Sequence, residues 1–268
     1  MLHRAVLDAR LRRIHARRGD AAVVARDLER RILPKISPRA VERRTAHVLR
    51  QLRTAVEPVK LAPPDTNAGV ALIIPVLDEA DTIGDVVRAV PRDVIGEVIV
   101  VDGGSTDGTA ARARAAGARV ILEPRSGYGS ACIAGVCATE RSVVAFIDGD
   151  GSDNPAEIPR LVAPILAGEQ DFVIGSRTRG VREKGSMVMH QLIAGRIAGL
   201  FMRALYSVRY TDMCPLRAIR RDVLERLGMR EKASGWNLEM QMRAARAGLR
   251  ILELPVRHRN RAGGASKV

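Results

Sequence analysis

The chain has 268 residues, of which 46% are apolar, 28% charged and 3% aromatic, enough apolar side chains for a core and too many for a disordered chain. No run of about 18 consecutive apolar residues occurs, so no transmembrane helix is predicted; six arginines in the first twenty residues, with no apolar run among them, argue against a secretory signal. The net charge of +14 is lopsided: residues 1–60 carry 16 Lys and Arg against 6 Asp and Glu, while the other 208 residues sum to +4.

The first 57 residues read as helical. Leu7, Leu11 and Ile14, then Val24, Leu28 and Ile32, recur at helical spacing, and after Pro34 and Pro38 a third stripe runs from Val41 to Val56. Residues 1–57 are therefore expected to be a basic helical accessory region, with 58–68, carrying Pro58, Pro63 and Pro64, as a stiff linker. Such a block suits nucleic acid, an anionic lipid surface or an acidic partner, and equally a solvated helical face. Three Phe, three Tyr and one Trp in the whole chain are poor material for stacking bases, so no specific nucleic acid is expected. Three cysteines without a CxxC pair point to a reduced, cytosolic compartment.

From residue 69 the rhythm changes to short β-branched runs alternating with helical stretches. Strands are predicted at Val70–Ile74, Glu97–Val101, Val120–Leu122, Val143–Ile147, Phe172–Ile174 and Arg250–Val256. Helices are predicted near 81–90, 109–116, 129–139, 156–167, 191–207, 219–228 and 237–247. This alternation argues for an α/β domain over 69–268 with a largely parallel sheet, whose chemistry belongs at the carboxyl ends of the strands.

Three of those ends carry carboxylates in turns. Asp78-Glu79 follows the first strand, Asp102-Gly-Gly-Ser105-Thr-Asp107-Gly108-Thr109 the second, and Asp148-Gly149-Asp150 the fourth. Asp and Gly are ordinary turn residues one at a time, but three such ends in one sheet point to a site. In extended chain residues i and i+2 face the same way, so Asp148 and Asp150 can share one hard cation, Mg²⁺ or Mn²⁺, completed by phosphate oxygens and water. Its chemistry would be Lewis-acid stabilisation of a diphosphate leaving group. A calcium loop does not fit, because Asp153 and Pro159 stand where that loop needs Gly and Glu. Gly127-Tyr-Gly129 lacks the third glycine of a dinucleotide fingerprint and follows the wrong strand. His190 and His258 lack metal-ligand spacing. Arg177, in Gly175-Ser176-Arg177, and the closing cluster from Arg257 to Lys267 offer cations for an anionic substrate.

Taken in order, Ile74-Pro75-Val-Leu77-Asp78-Glu79, the Asp102–Thr109 run, Asp148-Gly-Asp150 and Gly175-Ser176-Arg177 resemble family 2 glycosyltransferases. Arg261 with Gly264, Ser266 and Lys267 resembles the branch of dolichol- and polyprenyl-phosphate sugar transferases. The resemblance spans about residues 70–268 and implies an A-type, Rossmann-like fold, a divalent metal and inverting transfer from a nucleoside-diphosphate sugar. By position it implies that Pro75, Leu77, Glu79, Val100 and Asp102 line the nucleoside pocket. Asp148 and Asp150, with Ile147 and Gly149 beside them, would hold metal and diphosphate; Arg177 would contact a phosphate, and Arg261 and Lys267 would close over the diphosphate. Asp78 stands where the family usually has Asn, and Gly103 replaces a common second Asp.

A phosphate acceptor is already ionised and needs little base assistance, whereas a hydroxyl acceptor needs a general base. Asp212 and Glu239 are the carboxylates placed for that role, although Glu239, on a helix pattern, equally suits a structural anchor. Ile193, Ile197, Leu200 and Ala204 form an apolar stripe that suits either a membrane interface delivering a lipid phosphate or packing on the core. The expected location is cytoplasmic, peripheral at the inner face of the membrane if the acceptor is a lipid. The competing reading is a nucleic-acid- or anionic-surface-binding protein that uses its basic helices and carries an inactive α/β domain.

Overall fold

The computed structural model describes residues 69–183, 208 and 210–261. The accessory region expected over 1–57, the linker over 58–68, the helix expected over 191–207 and Lys267 all lie outside the described residues.

Seven strands, β1 (Val70–Val76), β2 (Ile95–Asp102), β3 (Arg119–Leu122), β4 (Val143–Phe146), β5 (Phe172–Ser176), β6 (Arg217–Arg220) and β7 (Ile251–Pro255), form one sheet in the order β3-β2-β1-β4-β6-β5-β7. Helices α1 (Ile83–Arg88), α2 (Thr109–Ala115), α3 (Tyr128–Cys137), α4 (Ile158–Leu166, after a 3₁₀ turn at Pro155–Glu157), α5 (Arg221–Leu227) and α6 (Trp236–Arg246) alternate with them. β1 lies between parallel neighbours β2 and β4, and every residue of Val70–Val76 except Pro75 is buried. Burial on both faces explains why the strand reads as a continuous apolar run and not as an alternation. In α4, Ile158, Leu161, Val162 and Ile165 are buried at the i, i+3, i+4, i+7 spacing of one helical stripe, and the helix packs on β4, β5 and β6.

The predicted sheet needs one correction. A helix was expected from about 219, but Arg217–Arg220 form β6 and the helix begins at Arg221. β6 runs antiparallel to both β4 and β5, so the sheet is mixed though mostly parallel. Its two arginines hid it, since a four-residue strand with Arg at both ends does not look like the interior of a sheet. Both are buried because each has its own partners. The Arg217 guanidinium donates to the carbonyls of Cys214 and Asn237 and lies 6.0 Å from the centre of the Phe172 ring. Arg220 pairs with Asp222 and Asp171.

Candidate active site

β1, β2, β4 and β5 are mutually parallel in direction, so their carboxyl ends share one rim of the sheet, and antiparallel β6 begins on that same rim. The first loop of the site, after β1, is stitched to the loop after β2. Asp78 holds a left-handed backbone (φ +48°), a conformation that Asp and Asn tolerate better than other side chains. Its amide donates to Ser105 Oγ at 2.8 Å, and its carboxylate accepts the Thr106 amide at 2.8 Å. The Glu79 amide donates to Thr109 Oγ1 (2.8 Å) and the Ala80 amide to Asp107 Oδ2 (3.0 Å). Asp102 is buried, and its Oδ1 accepts the amides of Gly104 and Ser105 at 3.1 and 2.8 Å. Most of the polar residues of the Asp102–Thr109 run therefore build the wall. Pro75, Leu77 and Asp102 stand at its edge, with Leu77 exposed. Val100 and Ile147 are fully buried in the core, so neither side chain is open to a ligand; they support the neighbours that are.

The second loop follows β4. Gly149 has no room for a side chain: a Cβ there would sit 2.5 Å from Val76 Cγ1 and against Ile74 and Ile83. Its carbonyl accepts the Thr82 hydroxyl at 2.7 Å. The Asp148-Gly-Asp150 turn thus presses close on β1, and Asp150 is itself buried. Asp150 Oδ1 accepts the Ser152 amide at 2.9 Å, and Oδ2 lies 3.0 Å from Arg261 Nε. Asp148 has no hydrogen-bond donor among the described residues. Desolvation, followed by the charges of Asp153 and Asp150, pushes its carboxyl up to about 7 against the opposing pull of Arg177 and Arg261.

That imbalance tests the metal expectation. Two hard carboxylates lie on one turn, and one of them, without a hydrogen-bond donor among the described residues, is crowded by neighbouring negative charge that Arg177 and Arg261 offset only in part. Such a donor set fits a divalent cation that takes its remaining ligands from phosphate and water, and it does not by itself form a closed all-protein cage. Among the described residues no group of three or more His, Cys, Asp or Glu is arranged to hold an ion.

The segment after β7 returns across this loop. The Arg259 amide donates to the Ser152 carbonyl at 2.8 Å, and buried His258 Nδ1 lies 3.0 Å from Asp153 Oδ1. Arg261 then reaches Glu79 (2.8 Å) as well as Asp150. Sequence reasoning missed His258 and Asp153, because a lone histidine and the third Asp of a turn carry no spacing signal; only the fold brings residues 105 positions apart into contact.

The third component is an ion pair. Arg177 donates from its amide, Nε and Nη2 to Asp212 at 2.8, 2.9 and 2.8 Å, and the Met213 amide adds a fourth bond at 2.7 Å. Burial disfavours both charges, yet these bonds outweigh it and hold Asp212 below the ordinary carboxylate value and Arg177 above the ordinary guanidinium value. Gln241 Nε2 fixes the Asp212 carbonyl at 2.8 Å. The structure therefore joins Arg177 to Asp212 and sets both beside the Asp148 loop. Glu239 is placed differently. It accepts the amides of Arg230 (2.9 Å) and Glu231 (2.7 Å) and pairs with Arg243 (2.7 Å), which keeps it below the ordinary value despite desolvation. Of the two readings of Glu239, these contacts describe the anchor.

Gly127 and Gly129 also find their reason here. A Cβ at Gly127 would run into the backbone of Lys232 and one at Gly129 into that of Glu231 and Lys232, and the Ser130 amide donates to the Lys232 carbonyl at 3.0 Å. The pair lets α3 touch the loop that Glu239 anchors.

With this geometry established, comparison with known proteins is informative. Residues 71–228 match the model of glycosyl transferase family 2. An uncharacterised glycosyltransferase of Mycobacterium tuberculosis (strain ATCC 25618 / H37Rv) is 38% identical over 203 residues, covering 74% of this chain and 89% of that protein. A dolichyl-phosphate hexose transferase of Haloferax volcanii is 35% identical over 197 residues, covering 72% and 84%. Among solved structures, glucosyl-3-phosphoglycerate synthase from M. tuberculosis, in complex with Mn²⁺, UDP-glucose and phosphoglyceric acid, superposes with a TM-score of 0.58 at 28% identity, covering 72% of each chain. The fold is that of the A-type nucleotide-sugar enzymes, metal dependence accords with the Mn²⁺ in that neighbour, and the chain belongs to glycosyl transferase family 2, as a nucleotide-sugar-dependent glycosyltransferase.

Proposed function

We propose that the protein transfers a hexosyl group from a nucleoside-diphosphate sugar to a phosphate-bearing acceptor, a polyprenyl phosphate, by direct displacement with inversion. The observation that carries the donor half is Asp148: a carboxylate at the carboxyl end of β4, crowded by Asp150 and Asp153 and without a hydrogen-bond donor among the described residues. Asp148 and Asp150 would hold Mg²⁺ or Mn²⁺. The cation, when bound, supplies stabilisation of the charge that builds on the departing diphosphate. The remaining work belongs to the chain. Pro75, Leu77, Glu79 and Asp102 form the rim on which the nucleoside lies, and the stitching of loops 77–80 and 103–109 holds that rim in shape before the donor arrives. Arg261 contacts the diphosphate. Lys267 shares that task on the strength of the sequence resemblance alone.

The acceptor half rests on how the carboxylates are used. Asp212 is committed to Arg177, and Glu239 to two backbone amides and Arg243. Neither is a ready proton acceptor, so an acceptor that arrives already ionised suits this site better than a hydroxyl. Arg177, fixed by Asp212, supplies a positioned cation for the acceptor phosphate. The dolichyl-phosphate relative supports a lipid phosphate, whereas the phosphoglyceric acid in the solved neighbour is a soluble phosphate. No helix among the described residues is long and apolar enough to cross a membrane; in this reading the protein meets the lipid as a peripheral enzyme at the inner face, using its basic residues 1–57.

A thermal-shift screen of UDP, GDP, UDP-glucose and GDP-mannose, each with and without Mn²⁺, tests the donor half. A metal-dependent rise in melting temperature with one nucleotide is the expected result, since a ligand that binds only the folded state must stabilise it. No shift with any of them, in a folded sample, would falsify the proposal. With the donor known, transfer to polyprenyl phosphate is measured against transfer to 3-phosphoglycerate and to free polyprenol; the phosphate-free alcohol is expected to be inert.

A further inference from the structure

We infer that Arg261 occupies the cation's place on Asp150 until a nucleoside diphosphate draws it away, so that metal binding depends on donor binding. The inference rests on the proposed donor and concerns how its parts assemble.

Four contacts carry it. Arg261 spans two carboxylates from the loops after β1 and β4, with Nη2 2.8 Å from Glu79 Oε1 and Nε 3.0 Å from Asp150 Oδ2. The bond to Glu79 is well formed. The approach to Asp150 is close but misaligned: Nε is buried and makes no properly directed hydrogen bond there. An ill-directed contact between opposite charges holds by charge alone, and a better-placed cation or anion can displace it. The backbone just upstream is pinned, by the Arg259 amide on Ser152 and by His258 on Asp153, so Arg261 is tethered beside the Asp148–Asp150 turn whichever partner it takes.

Without donor, a metal ion approaching Asp150 meets a guanidinium already on the oxygen it needs. Without metal, a diphosphate approaching the same turn meets two carboxylates. Together they exchange partners: the guanidinium moves to a diphosphate oxygen and the cation takes Asp150, so each charge is matched throughout. Linkage makes the effect reciprocal, because whatever factor the nucleotide adds to metal affinity the metal must add to nucleotide affinity. Glu79 acts here as a positioning residue, keeping the guanidinium close to the site after it leaves Asp150.

The test is Mn²⁺ binding to the full chain, followed by the loss of the free-ion EPR signal, with and without the diphosphate, UDP or GDP, that stabilises the protein. For wild type, Mn²⁺ alone is expected to bind at least ten-fold more weakly than Mn²⁺ with nucleotide. Arg261→Gln removes the competing charge from a half-buried side chain; it is expected to tighten binding of Mn²⁺ alone several-fold and to shrink the nucleotide's effect. Arg261→Lys, which keeps the charge, should resemble wild type, and thermal unfolding of each variant checks that it is folded. Equal affinity of wild type and Arg261→Gln for Mn²⁺ alone, with nucleotide binding still metal-dependent, overturns this inference and leaves the proposed function standing. Failure of every diphosphate to bring Mn²⁺ to the wild-type chain overturns both.

Discussion

At the scale of single residues, two positions of the site are constrained by their immediate neighbours. Gly149 separates the two acidic residues of its turn because Val76 lies where a Cβ would be. Gly149→Ala is expected to cost about 1–3 kcal/mol, the usual range for forcing a methyl group into a packed region, and to splay Asp148 from Asp150. Urea unfolding measures the first effect and Mn²⁺ affinity in the presence of nucleotide the second. Asp212 is constrained by charge. Removing it in Asp212→Ala leaves Arg177 nearly buried without a counter-charge, at a cost of roughly 3 kcal/mol. If Asp212 orients Arg177 and takes no proton, Asp212→Asn raises the acceptor KM far more than it lowers kcat, and the pH–rate profile keeps its shape. Loss of a basic limb from that profile is the outcome a general base requires. Asp148, Asp150 and Arg261 stood out in the sequence because charge beside glycine after an apolar run is a local pattern. The commitment of Asp212 to Arg177, 35 positions away, is legible only in three dimensions.

At the scale of elements, β6 shows where local pattern reading stops. Arg217 and Arg220 fit the polar face of a helix, and nothing within a few residues of them says otherwise. What overrides propensity is distant: Cys214 and Asn237 carbonyls and the Phe172 ring for Arg217, Asp171 and Asp222 for Arg220. The parallel strands needed no such context, since burial on both faces prints an uninterrupted apolar run. Asp171 also binds Arg250 just before β7, and the bonds from Arg250 outweigh desolvation, leaving its carboxyl below the ordinary value. For a carboxylate held low, the folded state binds fewer protons than the unfolded one below about pH 4. The stabilisation is therefore complete above the unfolded value and is lost as pH falls through the depressed one. Asp171→Asn is expected to lower stability at neutral pH and to flatten the acid limb of the stability curve; unfolding measured between pH 2 and pH 7 checks both.

At the scale of the molecule, the charge is divided. The first 60 residues hold +10 of the total +14, and the remaining 208 residues are close to neutral. We propose that this division separates membrane contact from chemistry. Deleting residues 1–57 is expected to leave the nucleotide-dependent thermal shift intact while weakening flotation with vesicles rich in phosphatidylglycerol, and raising the salt concentration should weaken flotation of the full chain in the same way. Equal flotation of the two forms counts against that role.

The antiparallel strand has one more consequence. β5 leaves the sheet at Ser176 and β6 re-enters it at Arg217, opposite Ile174 on the same rim, so the 40 residues between them depart from and return to one place. The described start of that stretch is tied to the segment after β7: Gly180 packs against the backbone of Val256, the His258 amide donates to the Val181 carbonyl, and the Glu183 amide donates to the His258 carbonyl. Exchanging residues 184–207, which leaves those contacts, Arg177 and Asp212 in place, with the matching stretch of a relative should shift acceptor preference and leave nucleotide preference with the host, which competition assays on the chimera can read directly.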